Sequence, residues 1–166
     1  MIHIYCGNGK GKTTAALGLA VRMAGAGGRV HICQFMKGSE TSELTSLKRL
    51  GIRVRRLSKD HGFSRNMTDD VKKAVRAEHD AMLDECLGDE CDLLILDEIF
   101  SAVNNGLADK DKALQVMHLV SHFTDIVLTG RDPADEFLSD ADYITDMNCV
   151  RHPYQRGICA RKGIEY

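Results

Sequence analysis

Tryptophan is absent from this chain, and proline occurs only twice in 166 residues. With so little proline and no polar low-complexity tract, a long linker is excluded, and the length suits one domain with a full core. No internal repeat of solenoid length is present. No apolar run is long enough to cross a bilayer. The opening residues read as a strand leading straight into a loop, not as a signal peptide. The six cysteines form no C-x-x-C pair, so they read as reduced, mostly buried thiols, with Cys33 inside an apolar strand and Cys86 on a helix face. A cytoplasmic protein without a membrane partner is expected. The net charge of −2 gives no basic excess for nucleic acid.

Against these absences stands one dense motif, Cys6-Gly7-Asn8-Gly9-Lys10-Gly11-Lys12-Thr13-Thr14. It joins an alternating run, residues 1–5, to an apolar helical pattern over residues 13–26. A glycine-rich turn between strand and helix aims backbone N–H groups at an anion, and the helix start adds partial positive charge. Lys12 supplies a mobile cation and Thr13 a hydroxyl for Mg²⁺. The usual pattern, G-x-x-x-x-G-K-[ST], places a glycine where Cys6 stands, so the match is imperfect. The strand–turn–helix context still predicts nucleoside triphosphate binding. With no N-K-x-D sequence to read guanine, ATP is expected over GTP.

Further strands are expected over 29–35, 52–57, 93–96, 125–129 and 142–147. Between them, Thr68 caps a helix whose buried stripe is Val71, Val75, His79, Met82 and Cys86. Asp109 caps another, with Ala113, Val116, Val120 and Phe123 as its stripe. Such alternation predicts an α/β fold: a single P-loop NTPase-like (RecA-like) domain over 1–166, with a mostly parallel sheet and helices on both faces. Five polar motifs fall at strand carboxyl ends, where open α/β sheets bind ligands.

Leu94-Ile95-Leu96-Asp97-Glu98 is an apolar strand ending in two acids, an arrangement that holds Mg²⁺ opposite Thr13. Glu98 is expected as the ligand, with Asp97 supporting it. Arg131, in the turn Thr129-Gly130-Arg131-Asp132-Pro133, reads equally as a phosphate contact or a solvated turn residue, and Lys37 after the second strand does too. His118 and His122 have a zinc-compatible spacing, but without a third ligand a surface pair is the better reading. The basic tail, 148–166, departs from the alternation and is expected either to fold over a ligand or to pair with another subunit.

Together, GNGKGKTTAA (7–16), QFMKG (34–38), GF (62–63), LLILDEI (93–99), LTGR (128–131), ADYITDM (141–147) and RHPYQRGICARKGIEY (151–166) resemble the P-loop-type ATP:corrinoid adenosyltransferases. The resemblance implies that a reduced corrinoid, as Co(I), attacks the 5′ carbon of ATP and inorganic triphosphate leaves, in adenosylcobalamin biosynthesis or salvage. It implies Mg²⁺ or Mn²⁺ at Thr13 and Glu98. It maps Gly7, Asn8, Gly9, Lys10, Gly11, Lys12, Thr13 and Thr14 to the triphosphate, and Arg22 and Arg131 to further ATP contacts. Phe63 maps to the lower corrin face. A homodimer and a cellular electron donor such as a flavoprotein are implied as well.

The chain departs from the pattern at the corrin site. Arg65 stands where some relatives carry tryptophan, so Phe63 and Arg65 together are the expected corrinoid contacts, and the preferred corrinoid stays open. The N-terminal extension of some relatives is expected to be absent as well. A γ-phosphate-hydrolysing switch ATPase and a small-molecule kinase share the expected fold, and product identity separates them from adenosyl transfer.

Overall fold

The computed structural model describes residues 1–62 and 64–165. The elements run β1 (Ile2–Cys6), α1 (Lys12–Gly25), β2 (Val30–Gln34), α2 (Glu43–Arg49), β3 (Arg53–Arg56), α3 (Asp69–Leu87), β4 (Leu93–Asp97), α4 (Ile99–Asn104), α5 (Lys110–Ser121), β5 (Asp125–Thr129), α6 (Asp135–Leu138) and β6 (Tyr143–Asp146). All six expected strands are present, and they form one parallel sheet in the order β3-β2-β4-β5-β1-β6. The short helices α2, α4 and α6 have no counterpart in the sequence reading; each is too brief to establish a helical period. Among the described residues no helix is long and apolar enough to cross a membrane.

The two faces of the sheet are written into the alternation of its central strand. Leu94 and Leu96 of β4 point into one core with Ile4, Phe35, Ile126 and Leu128, covered by Met82 and Leu83 of α3, Val116 and Met117 of α5, and Phe137 of α6. Leu93 and Ile95 point into the opposite core with Ile32 and Val127, covered by Ala16 and Ala20 of α1 and Leu47 of α2. A strand buried on both faces reads as a continuous apolar run, which is why LLIL carried no alternation. The alanines on α1 let that helix lie close to the sheet, and this closeness sets how near its first turn comes to the strand ends.

Both expected caps are made. Thr68 Oγ1 accepts from the Val71 N–H at 3.4 Å, and Asp109 Oδ1 accepts from the Lys112 N–H at 3.0 Å. That contact, then the nearby Arg76 guanidinium, holds the Asp109 carboxyl below its ordinary value despite slight desolvation. One stripe residue is corrected: α5 ends at Ser121, and Phe123 is 92% exposed. The helical period was carried past the point where the chain turns toward β5. At the far edge β6 is exposed along its whole length, with Tyr143 stacked on His3 at 4.6 Å between ring centroids.

Met117→Ala in α5 should therefore cost about 2–5 kcal/mol, whereas Phe123→Ser should change stability by less than about 0.5 kcal/mol. Urea denaturation monitored by circular dichroism measures both.

Candidate active site

The glycine loop is shaped by what lies against it. Gly7 and Gly11 have φ of +92° and +116°, a left-handed conformation that favours glycine. A Cβ on Gly7 would collide with the Asp146 carboxylate, and one on Gly9 would sit 2.5 Å from the Met147 carbonyl oxygen. The Gly9 N–H donates to that same carbonyl at 2.6 Å, and Asn8 Oδ1 accepts from the Cys149 N–H at 2.8 Å. The loop is thus docked on the chain leaving β6. α1 then starts at Lys12 with no acid in its first turn and no side-chain cap, so its N-terminal N–H groups and positive end face the cleft uncompensated.

Lys12 is 7% exposed, and its Nζ donates to the carbonyls of Gly7 at 2.8 Å and Gly9 at 2.7 Å. Burial pushes its pKa down, and the Glu98 carboxylate opposes that shift. The ammonium is held inside the loop, with a third proton left to donate.

One strand, β5, is inserted between β1 and β4, and its last residue bridges them. Thr129 Oγ1 donates to Asp97 Oδ1 at 2.8 Å, as does Thr13 Oγ1 at 2.8 Å. On the other oxygen, Asp97 Oδ2 accepts from Lys37 Nζ at 2.7 Å and Gln34 Nε2 at 3.2 Å. Asp97 is fully buried and carries four donors. Lys37 thus ion-pairs with an acid, a role the sequence reading did not consider.

Glu98 has a different posture. Its φ of 62° is unusual for a residue with a Cβ, and the Glu98 N–H donates to Thr129 Oγ1 at 3.0 Å. This left-handed step turns the side chain into the cleft, where Ser101 Oγ donates to Oε2 at 2.6 Å. Two acids adjacent in sequence therefore have opposite fates. Asp97 is saturated by donors, whereas Glu98 Oε1 has no hydrogen-bond partner among the described residues. The Thr13 hydroxyl spends its proton on Asp97 and keeps its lone pairs. A hard cation needs oxygen ligands, and the donors able to offer them are Thr13 Oγ1 and Glu98.

These groups line one cleft of about 590 Å³, reached also by Asn8, Lys10, Thr14, Lys37 and Arg131. The Arg131 turn is fixed by Asn104 Nδ2, which donates to the carbonyls of Arg131 at 3.2 Å and Asp132 at 2.9 Å. Gly130 is required there, since a Cβ would lie 2.8 Å from Phe100 Cβ. The tail folds back over the loop: Lys10 Nζ donates to Glu165 Oε1 at 2.7 Å and to the Ile164 carbonyl at 3.1 Å. Contacts from Arg161, then Lys10, pull the Glu165 carboxyl down to about 2. Sequence reasoning placed the tail near a ligand or a partner without identifying this Lys10–Glu165 latch, for which no local pattern exists.

Not every expected site residue reaches the cleft. Arg22 lies exposed in the last turn of α1, about 15 Å along the helix from Lys12, so within one chain it is not brought to the loop. Arg65 is exposed in the short 3-10 turn Ser64–Asn66 and is not a cleft residue. Phe63 lies outside the described residues. His118 pairs with Asp140 at 2.7 Å on the surface, as a helix-surface histidine would.

A buried histidine sets the turn after β2. His79 Nε2 accepts from the Met36 N–H at 3.1 Å, and Nδ1 lies 2.7 Å from the Leu107 carbonyl. Accepting at one nitrogen and donating at the other requires the neutral ring. Burial lowers its pKa accordingly, against the Leu107 contact. Below the ordinary imidazole value of about 6.5, the unfolded chain binds a proton that the folded chain refuses. Stability should therefore decline as pH falls from 7 toward 5, and the decline should be shallower in His79→Gln. Urea midpoints across that range test this.

The family described as ATP:corrinoid adenosyltransferase BtuR/CobO/CobP matches residues 1–166. A corrinoid adenosyltransferase of Pseudomonas aeruginosa is 32% identical over 171 aligned positions, covering 100% of this chain and 83% of the relative. One from Escherichia coli K12 is 28% identical, covering 100% of this chain and 85% of the relative. Among solved structures, the flagellar accessory protein FlaH of Methanocaldococcus jannaschii superposes with a TM-score of 0.57 at 13% identity, covering 87% of this chain and 69% of that one, a likeness of fold alone.

Proposed function

The chain belongs to the ATP:corrinoid adenosyltransferase family, and from that premise we propose that its cleft holds the triphosphate of ATP as a leaving group while the 5′ carbon is presented to a corrinoid. The enzyme transfers the adenosyl group of ATP to a corrinoid in cobalamin metabolism. The observation that carries the finer reading is the convergence of the loop N–H groups, Lys12, Glu98 and Arg131 on one cleft. Co(I) of the reduced corrinoid attacks the 5′ carbon, the carbon–oxygen bond breaks, and inorganic triphosphate departs. Negative charge then grows on the phosphate chain, so the groups that matter most are those that bind this charge more tightly as it develops. Lys12, already desolvated, donates its remaining N–H to a phosphate oxygen, and Arg131 adds a second cation. Thr13 and Glu98 would hold Mg²⁺, or Mn²⁺, which when bound neutralises phosphate charge. Asp97 orients Thr13 and stays out of direct contact.

The corrinoid is assigned to the region beyond the end of β3, where Phe63 and Arg65 stand in sequence. A homodimer is supported by the exposed edge strand β6 and by Val150 and Tyr154 on the tail, 97% and 80% exposed. A cellular reductant, a flavoprotein by the family's chemistry, would supply the electron that reduces the corrinoid's cobalt to Co(I). Free cysteines throughout fit a reducing compartment such as the cytoplasm.

Incubation with ATP, Mg²⁺ and chemically reduced cobalamin or cobyrinic acid diamide should yield the cobalt–carbon absorbance and one triphosphate per turnover. ADP formed at a comparable rate without corrinoid would instead identify a switch ATPase or kinase. Lys12→Ala should lower kcat by about 10²-fold or more with the fold intact. Near-normal kcat in a folded variant would place the triphosphate elsewhere.

The two acids should separate by readout. Glu98→Gln should abolish most activity and weaken the Mg²⁺ dependence while leaving Tm nearly unchanged. Asp97→Asn should lower Tm as well, because Lys37 loses its charge partner beside a buried group. A drop in Tm for Glu98→Gln alone would reverse the assignment.

A further inference from the structure

Away from the nucleotide cleft, toward the amino ends of the strands, three soft donors meet beneath the sheet. His31 and Cys33 alternate onto one face of β2, and Cys86 reaches them from the last turns of α3. His31 Nε2 lies 3.6 Å from Cys33 Sγ, and Cys33 Sγ lies 3.5 Å from Cys86 Sγ. The three donor atoms all fall within 4.8 Å of one another, and the residues are at most 1% exposed. On its other side the His31 ring meets the Asp89 carboxylate through Nδ1, and Arg53 Nη1 donates to that carboxylate at 3.2 Å. A carboxylate beside one imidazole nitrogen is a common companion of a metal-binding histidine, and it leaves the inner nitrogen toward the sulfurs.

We propose that His31, Cys33 and Cys86 form a buried site for a thiophilic d¹⁰ cation, zinc(II), separate from the oxygen-lined position beside the triphosphate. The spacing fits. A tetrahedral zinc with bonds of about 2.3 Å to sulfur and about 2.05 Å to nitrogen has ligand–ligand edges of about 3.6 Å (N···S) and about 3.8 Å (S···S). Two of the observed separations, 3.6 Å and 3.5 Å, are within tenths of an ångström of these edges, and the third lies within 4.8 Å, so the set closes on an ion by a small approach of His31 to Cys86. The charge fits too. Two thiolates cancel a divalent ion, whereas a monovalent ion would leave net charge in a buried site. Sulfur and imidazole donors reject Mg²⁺, so the two sites would not compete.

A cleft of about 280 Å³ lined by His31, Arg53, Asp89 and Cys91 reaches the histidine of the set at the strand amino ends. Without metal, contact with Cys86, then burial, holds the Cys33 thiol well above its ordinary pKa, so uptake must release thiol protons to solvent. The bound ion would staple β2 to α3, directly beneath the strand whose end supplies Gln34 to Asp97.

The test is metal uptake by the full chain, stripped with chelator under reducing conditions and titrated separately with Zn²⁺ and Co²⁺. One equivalent of Zn²⁺ should bind and raise Tm. Co²⁺ should give thiolate-to-cobalt charge transfer and the intense d–d bands of a tetrahedral ion. Cys33→Ala and Cys86→Ala should abolish uptake, Cys6→Ala should retain it, and Asp89→Asn should weaken it by about 10–100-fold. Absence of stoichiometric uptake by the wild-type chain, or uptake that survives in Cys33→Ala/Cys86→Ala, overturns the site. If the cysteine variants do not fold, the wild-type Co²⁺ spectrum decides alone: a spectrum without thiolate bands rejects the assignment.

Discussion

The Asp97 carboxylate is the tie on which the carboxyl end of the sheet depends. Its two oxygens collect Thr13 from the first turn of α1, Thr129 from the end of β5, Gln34 from the end of β2 and Lys37 from the turn beyond. A fully buried carboxylate would be strongly unfavourable by itself, and removing one partner of such a pair commonly costs about 3–5 kcal/mol. With four donors it becomes a fixed post. Three cleft-lining groups are placed relative to that post: Thr13 directly, Lys12 through the same helical turn, and Glu98 through the next peptide. The Glu98 backbone bends into a left-handed conformation because Thr129 Oγ1, anchored on Asp97, also accepts its N–H.

A second constraint comes from the far edge. The glycine loop is squeezed between the strand end that launches it and the residues leaving β6, with the Gly9 N–H committed to the Met147 carbonyl. Packing of this kind removes freedom from the loop before any ligand arrives. A loop already folded needs little reorganisation when charge develops on a leaving group, which is the condition under which fixed dipoles contribute most to rate. The tail adds to the same enclosure through Lys10 and Glu165, although both of these residues stay at the surface and their pair contributes little to global stability. Its role is local, holding Ile164 beside the cleft.

Much of this was legible in the residues. The loop, the apolar strand with its two acids, and the caps at Thr68 and Asp109 are local patterns, and local patterns follow from periodicity and backbone chemistry that a sequence displays directly. The short helices, the true end of α5 before the exposed Phe123, and the remoteness of Arg22 were not legible. Each turns on where the chain bends, and the bend is set by contacts far away in sequence.

The division is sharpest at Asp97 and Glu98. By itself the sequence determined a single α/β domain, a phosphate loop ahead of a helix, and a pair of acids at the end of a central strand. Asp97 ends β4 and Glu98 begins the left-handed turn after it, and the ring of donors around the one and the cleft before the other came only when β2, β5 and α1 assembled around β4. The same assembly brought His31, Cys33 and Cys86 within reach of one another, across more than fifty residues of chain. Hydrogen bonds and metal-compatible donor sets are short-range interactions between atoms, and for residues so distant in sequence only the packed sheet and helices supply the short range.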